Sequence, residues 1–184
     1  MTARVANQLT LEVLKAGMPG VTRPQAETHI EACMVCFKDR SHETGVAIAL
    51  SGVPGNIALP VVWVGDVTRQ VMRGHGDLQD ATENGACAIA FLLIREFTEY
   101  TVVERTWKGP GFDYWTGFED EGEDEVIYCA RLEVSGIKHS PDQAYYQRRI
   151  REKIEQTKVS DHLGYPAYVV VVDFGQPKAH MELR

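Results

Sequence analysis

The sequence predicts an α/β protein whose core runs helix, three strands, helix, strand, preceded by an N-terminal α+β extension. Three observations predict this class. Apolar residues recur near a 3.6-residue period over 77–97, β-branched and aromatic residues concentrate between 100 and 135, and the run 165–174 is almost continuously apolar. A chain of 184 residues that is 44% hydrophobic and 24% charged is typical of one compact globular domain.

Residues 1–76 form the predicted extension, which we expect to pack on the core within one compact domain. A short amphipathic helix is predicted over 9–15. A longer helix is predicted to begin near Pro24, because proline suits the first turn of a helix. Two strands joined by a turn follow, over 45–51 and 59–64.

The predicted core occupies residues 77–184. In chain order its elements are a helix (77–97), three strands (100–107, 113–118 and 126–135), a helix (142–158) and a strand (165–174). Asp77 and Asp80 are both candidate N-caps for the first helix. The strand 165–174 is the last element that the pattern predicts.

The charge of the chain is uneven. The formal net charge is −7, which argues against a protein that coats nucleic acid electrostatically, because such binding needs a basic face. Six acids nevertheless fall within the seven residues 119–125, and without them the chain is nearly neutral. We interpret this run as a solvated hairpin tip held away from any nucleic acid, so the net charge does not exclude a nuclease.

The remaining composition predicts a cytoplasmic protein. No apolar run approaches the roughly 20 residues that span a bilayer, and the N-terminus lacks the build of a signal peptide. The cysteines lie in apolar surroundings, which is typical of buried, reduced thiols: Cys33, Cys36, Cys87 and Cys129. The tryptophans are interpreted as core or interface aromatics: Trp63, Trp107 and Trp115.

Three acids interrupt elements that are otherwise apolar or turn-like: Glu83, Asp113 and Glu133. Asp113 opens the second core strand and Glu133 lies on the third, so an antiparallel pairing would bring the two carboxylates close together. Neighbouring carboxylates need a counter-charge, and a divalent ion such as Mg²⁺ (or Mn²⁺) prefers their oxygen ligands. Glu83, near the start of the preceding helix, is a candidate third ligand, directly or through water.

The order of elements and these acids together resemble the PD-(D/E)XK nuclease superfamily, whose restriction-endonuclease-like core also has an αβββαβ order. The resemblance covers about residues 77–174. It implies that Asp113, in KGPGFDYW, is the metal-binding Asp of the second strand. It also implies that Glu133, in RLEVSG, is the acid of the acid-X-Lys motif, and that Glu83, in ATENGA, is the helix acid of the family.

The chain departs from this family at the lysine, because position 135 is Ser. A serine hydroxyl positions water or a ligand but carries no charge to offset the phosphate. Either a basic residue of the following helix replaces the lysine, Lys153 first and Arg149 second, or catalysis has been lost. Helical spacing places Arg149, Lys153 and Gln156 on one side of that helix.

The predicted function is therefore a metal-dependent DNA endonuclease or exonuclease of defence, repair or mobile-element type. Asp113, Glu133, Ser135 and Lys153 are its predicted catalytic residues. The basic helix is the predicted DNA surface, through Arg148, Arg149 and Gln156. A homodimer is expected because one active site cuts one strand. The alternative is a catalytically inactive nuclease fold that acts as a binding or assembly subunit.

Overall fold

The computed structural model of the chain describes residues 7–119 and 125–184, and the strands in these ranges form one mixed sheet of eight. Numbered along the chain, they are β1 (Leu9–Thr10), β2 (Val46–Gly52), β3 (Ile57–Val62), β4 (Thr101–Arg105), β5 (Tyr114–Glu119), β6 (Val126–Ile137), β7 (Ala167–Asp173) and β8 (Lys178–Leu183). Their order across the sheet is β1-β3-β2-β8-β7-β6-β5-β4. The pairs β4–β5 and β5–β6 are antiparallel, whereas β6 and β7 are parallel.

Helices cover both faces of this sheet. The α-helices in the described residues are α1 (Arg23–Asp39), α2 (Arg69–Gly74), α3 (Leu78–Phe97) and α4 (Gln143–Thr157). The main core lies under α1 and α3, and a smaller apolar cluster lies between α4 and β7 on the opposite face. The fold is therefore α/β, and its second half has the expected order helix, three strands, helix, strand. None of the helices in residues 7–119 and 125–184 is long and apolar enough to span a bilayer.

The predicted helix starts are confirmed by their caps. Pro24 lies in the first turn of α1, which Thr22 caps through its side chain. Asp77 caps α3 by accepting from the backbone N–H groups of Gln79 and Asp80. These caps are local in sequence, which is why the sequence predicts them well.

Several elements differ from the prediction. The expected helix over 9–15 is replaced by β1 and a 3₁₀ segment, Leu11–Ala16, because Leu9 and Thr10 pair in parallel with β3. The short helix α2 and a 3₁₀ segment, Lys158–Leu163, were not predicted. The acidic run at 119–125 falls mostly outside the described residues, since 120–124 are not among them.

The strand β8 is the largest omission. The prediction placed no strand after 165–174, yet β8 pairs in parallel with β2 and antiparallel with β7. Its apolar residues Ala179 and Met181 are buried under the helices, alternating with polar residues on the other face. Through β8, the N-terminal strands join the sheet that carries the candidate site.

Two glycines allow close approaches around the site. A Cβ on Gly136, in β6, would overlap the carbonyl oxygen of Thr82, so the glycine lets α3 lie directly against β6. Gly111 has a φ of +80°, and a Cβ there would overlap the carbonyl oxygen of Gln156 near the end of α4. These contacts fix α3 and α4 on either side of the β5–β6 pair.

Candidate active site

Asp113 is held at the entrance to β5 by the backbone of β6. Its N–H donates to the carbonyl of Leu132 at 2.8 Å, and its Oδ2 accepts from the N–H of Val134 at 2.9 Å. The antiparallel register that pairs Tyr114 with Leu132 therefore fixes the Asp113 carboxylate beside the residue between Leu132 and Val134, which is Glu133. The structure thus brings together the two acids that the sequence placed on neighbouring strands.

Glu133 lies in the middle of the sheet, on the face toward α4, and is only 1% exposed. Burial above all, together with the neighbouring Asp113 carboxylate, raises the pKa of its carboxyl from 4.5 to about 8, and Lys153 opposes this rise. A carboxyl group with such a pKa takes up and releases protons near neutral pH. Perturbed groups of this kind are concentrated at functional sites.

A lysine from α4 contacts Glu133. The Nζ of Lys153 lies 2.7 Å from Glu133 Oε1, and the side-chain amide of Gln156 donates to the same oxygen at 2.9 Å. Lys153 also donates to Gln156 Oε1 at 2.9 Å, which closes a three-membered network. The helical period explains this arrangement, because residues three positions apart lie on one side of α4.

The two carboxylate oxygens of Glu133 differ in their hydrogen bonding. Oε2 is buried and has no hydrogen-bond partner among the described residues. Such an oxygen is costly when the carboxyl group ionises, and a hard divalent cation would remove that cost. Two adjacent carboxylates, one with an unpartnered oxygen, therefore fit the oxygen-rich half-shell that Mg²⁺ or Mn²⁺ prefers.

A cavity of about 650 Å³ opens beside these acids, between the start of α3, the end of β6 and the first half of α4. Asp113, Ser135, Arg149 and Lys153 line it. Glu133 does not line it and lies behind Lys153. The cavity is wide enough to admit a nucleotide-sized group, and its walls carry both carboxylates and cations.

Glu83 reaches the cavity but not the acid pair. It is exposed on the first half of α3 and lines the same cavity. Across the described parts of the chain, no three His, Cys, Asp or Glu side chains form a group that could hold a metal ion. The role of Glu83 as a metal ligand, directly or through water, stays a prediction.

The other predicted residues take different places. Ser135 is 7% exposed and lines the cavity. Arg149 also lines it and donates to the hydroxyl of Tyr145 at 3.3 Å. Arg148 is exposed and does not line the cavity; its guanidinium lies over the Tyr145 ring and near Glu152. Gln156 contacts Glu133.

The cavity also contains residues that the sequence did not single out. Arg105, at the end of β4, lines it opposite α4, together with Lys138 and His139 from the segment after β6. Cys87 lines it as well, and burial raises the pKa of this thiol to about 12, so the thiol stays protonated at neutral pH. The signal for Arg105 was its position at the end of a predicted strand, just before the loop to Asp113.

In comparisons with known proteins, no family model, no curated protein and no solved structure matches the chain. The interpretation of the site therefore depends on the residues themselves. The decisive geometry is the contact of Lys153 with Glu133 beside Asp113, at the wall of an open cavity.

Proposed function

We propose that this protein is a metal-dependent nuclease that hydrolyses phosphodiester bonds in DNA, on a restriction-endonuclease-like αβββαβ core. The observation that supports it is the placement of Lys153, which comes from α4 rather than from β6. Its Nζ lies 2.7 Å from Glu133, in the neighbourhood where the family's strand lysine would act. The absence of a lysine at position 135 therefore does not exclude activity.

Asp113 and Glu133 would hold Mg²⁺ or Mn²⁺, with Glu83 assisting through water. Such an ion, when bound, activates water and stabilises negative charge on a phosphate. The protein's own part is to hold both carboxyl groups in place. Val134 does this for Asp113 through its backbone N–H, and Lys153 does it for Glu133.

Lys153 and Ser135 supply the remaining polar groups. The Lys153 ammonium offsets charge at the phosphate and orients the attacking water, and Gln156 holds it in place. The Ser135 hydroxyl, at the cavity wall, positions water or substrate. Arg149 contacts the DNA backbone at the cavity, and Arg148 extends this surface along α4.

A cytoplasmic location and a homodimer complete the proposal, because two copies would cut both strands of a duplex. The second candidate is a catalytically inactive nuclease fold that acts as a binding or assembly subunit. One observation favours it: Lys153 neutralises Glu133 and lies between this acid and the cavity.

The test is cleavage of single-stranded, double-stranded and branched DNA with Mg²⁺ or Mn²⁺. We expect Asp113→Asn to abolish cleavage and Lys153→Ala to reduce it by about 10²-fold or more, because each removes a charge that acts at the transition state. Arg151→Ala is the matched control, since Arg151 is an exposed cation on the same helix and does not line the cavity.

Calorimetric titration with Mn²⁺ separates the two candidates. A nuclease binds Mn²⁺, and binding is lost in Asp113→Asn. Wild-type protein that neither cuts any of these DNAs nor binds Mn²⁺ would overturn the nuclease proposal and support the inactive subunit.

A further inference from the structure

Trp107 differs from the other two tryptophans of the chain. It is 74% exposed, so of the core and interface positions that the sequence predicted, the core position is wrong. Trp63 is buried and stacked on Phe37, and Trp115 lies in an aromatic cluster with Phe112. A large aromatic ring left in water has an unused apolar face, so its environment requires an explanation.

The loop that carries Trp107 is anchored at its base. The hydroxyl of Thr106 donates to the carbonyl of Phe112 at 2.7 Å, and the N–H of Thr106 donates to the carbonyl of Asp113 at 2.9 Å. Gly111 rests against the backbone of Gln156. The stem is thus fixed next to the candidate site, and Trp107 extends into solvent directly after it.

Two cations flank Trp107 in the sequence. Arg105, two residues earlier, is exposed and lines the cavity, and Lys108, directly after Trp107, is also exposed. Arg149 lines the same cavity from α4. Exposed aromatic and basic residues in alternation are the arrangement by which proteins bind single-stranded nucleic acid, with bases on the rings and phosphates on the cations.

We propose that Trp107 stacks on an unpaired base of a DNA single strand whose phosphates contact Arg105 and lead into the cavity. The inference rests on the proposed nuclease function for the direction of the strand. A duplex hides the faces of its bases, so an indole ring in this position selects single-stranded ends, flaps or gaps over intact duplex. Trp107 is thereby a specificity residue and takes no part in the chemistry.

The test is binding of a fluorescently labelled oligothymidylate of about 12 nucleotides, a length within the usual range of such sites. Anisotropy is measured in EDTA at one fixed low salt concentration, so that no hydrolysis occurs. The oligothymidylate also quenches tryptophan fluorescence in the wild type, because Trp107 is the most exposed of the three rings. We expect the single strand to bind more tightly than a duplex of equal length.

Trp107→Ala is expected to weaken this binding about tenfold, the order typical of one stacked base. Trp107→Phe retains most of the affinity, because it keeps an aromatic face. Arg105→Ala weakens binding and lowers its salt dependence, whereas Arg151→Ala leaves both unchanged. Melting temperature is measured for every variant, and we expect it to stay constant for Trp107→Ala, since the ring is mostly in water.

Unchanged affinity of Trp107→Ala for the oligothymidylate would overturn the inference, and so would a wild type that prefers duplex. These results are independent of cleavage. A wild type that binds the single strand through Trp107 but cuts nothing would refute the nuclease and leave the inference standing. If the wild type cuts DNA, and Trp107→Ala cuts it equally fast and binds the oligothymidylate with equal affinity, the inference is refuted and the nuclease proposal stands.

Discussion

Two buried carboxylates lie on neighbouring strands of this sheet, and their surroundings differ. Asp173, at the end of β7, is fully buried and uses both oxygens. Oδ2 accepts from the N–H and hydroxyl of Ser140, and Oδ1 accepts from the N–H groups of Gly175 and Gln176. Lys178 adds a cation at 3.9 Å.

Glu133 is almost as buried, yet one of its oxygens has no hydrogen-bond partner among the described residues, and a second acid lies beside it. Burial alone therefore does not mark a functional acid. A structural carboxylate accepts hydrogen bonds at both of its oxygens. A carboxylate that is left partly unsatisfied lowers the stability of the fold, and proteins retain such groups where they bind a ligand or take part in a reaction.

The largest expected effect is at Asp173. Asp173→Ala leaves the Ser140 N–H and hydroxyl, two turn N–H groups and the Lys178 ammonium without their acceptor. We therefore expect the free energy of unfolding to fall by about 3–5 kcal/mol. Urea denaturation measures it. Asp173→Asn keeps one acceptor and is the milder control. A loss below about 1 kcal/mol in Asp173→Ala would contradict the structural role.

Glu133 is expected to behave in the opposite way. Its pKa in the folded protein, about 8, lies above the value of 4.5 in the unfolded chain, so its contribution to stability is complete below about pH 4.5 and is lost as the pH rises to 8. In EDTA, the stability of Glu133→Gln should therefore equal that of the wild type near pH 4.5. Above pH 8, the free energy of unfolding of Glu133→Gln should exceed that of the wild type by about 1–3 kcal/mol.

Urea midpoints of both proteins across this pH range provide the measurement. A Glu133→Gln variant that is less stable than the wild type above pH 8 would show that the ion pair with Lys153 outweighs burial, and Glu133 would then be a structural residue like Asp173.

The smallest effect concerns His29, a buried polar group on α1. It packs edge-on against Phe91, its Nδ1 has no hydrogen-bond partner in the described residues, and burial lowers its pKa from 6.5. The unfolded chain therefore binds the proton more readily, and the contribution of His29 to stability is lost as the pH falls below about 6.5. His29→Leu should reduce this loss by about 1 kcal/mol between pH 7 and pH 5.5.

Thermal unfolding at several pH values checks this expectation. His162→Gln is the control, because it replaces a histidine at an exposed position. An unchanged pH dependence in His29→Leu would mean that the imidazole finds a proton acceptor on charging.

The sequence predicts those features that depend on local periodicity. The helix α3 and its Asp77 cap, the strands β5 to β7, and the convergence of Asp113 with Glu133 all follow from apolar patterns and one antiparallel pairing. The common side of Lys153 and Gln156 follows from the helical period. These are features within about 20 residues of one another.

Features that depend on distant segments were not predictable in this way. The strand β8 alternates apolar and polar residues after a turn, which is a strand signal, but nothing in its own sequence indicates that β2 is its neighbour. The exposure of Trp107 was not predictable from the sequence either, since aromatic residues at strand ends are more often covered.

The pairing of β2 with β8 has a consequence for biosynthesis. Ser51 and His180, which meet across this pair, are 129 positions apart in the chain. On the ribosome the β2–β3 hairpin is made early but gains its neighbour only when β8 emerges, and an unpaired strand edge invites association with other chains. One edge of β2 therefore stays unpaired until the residues of β8 have been made.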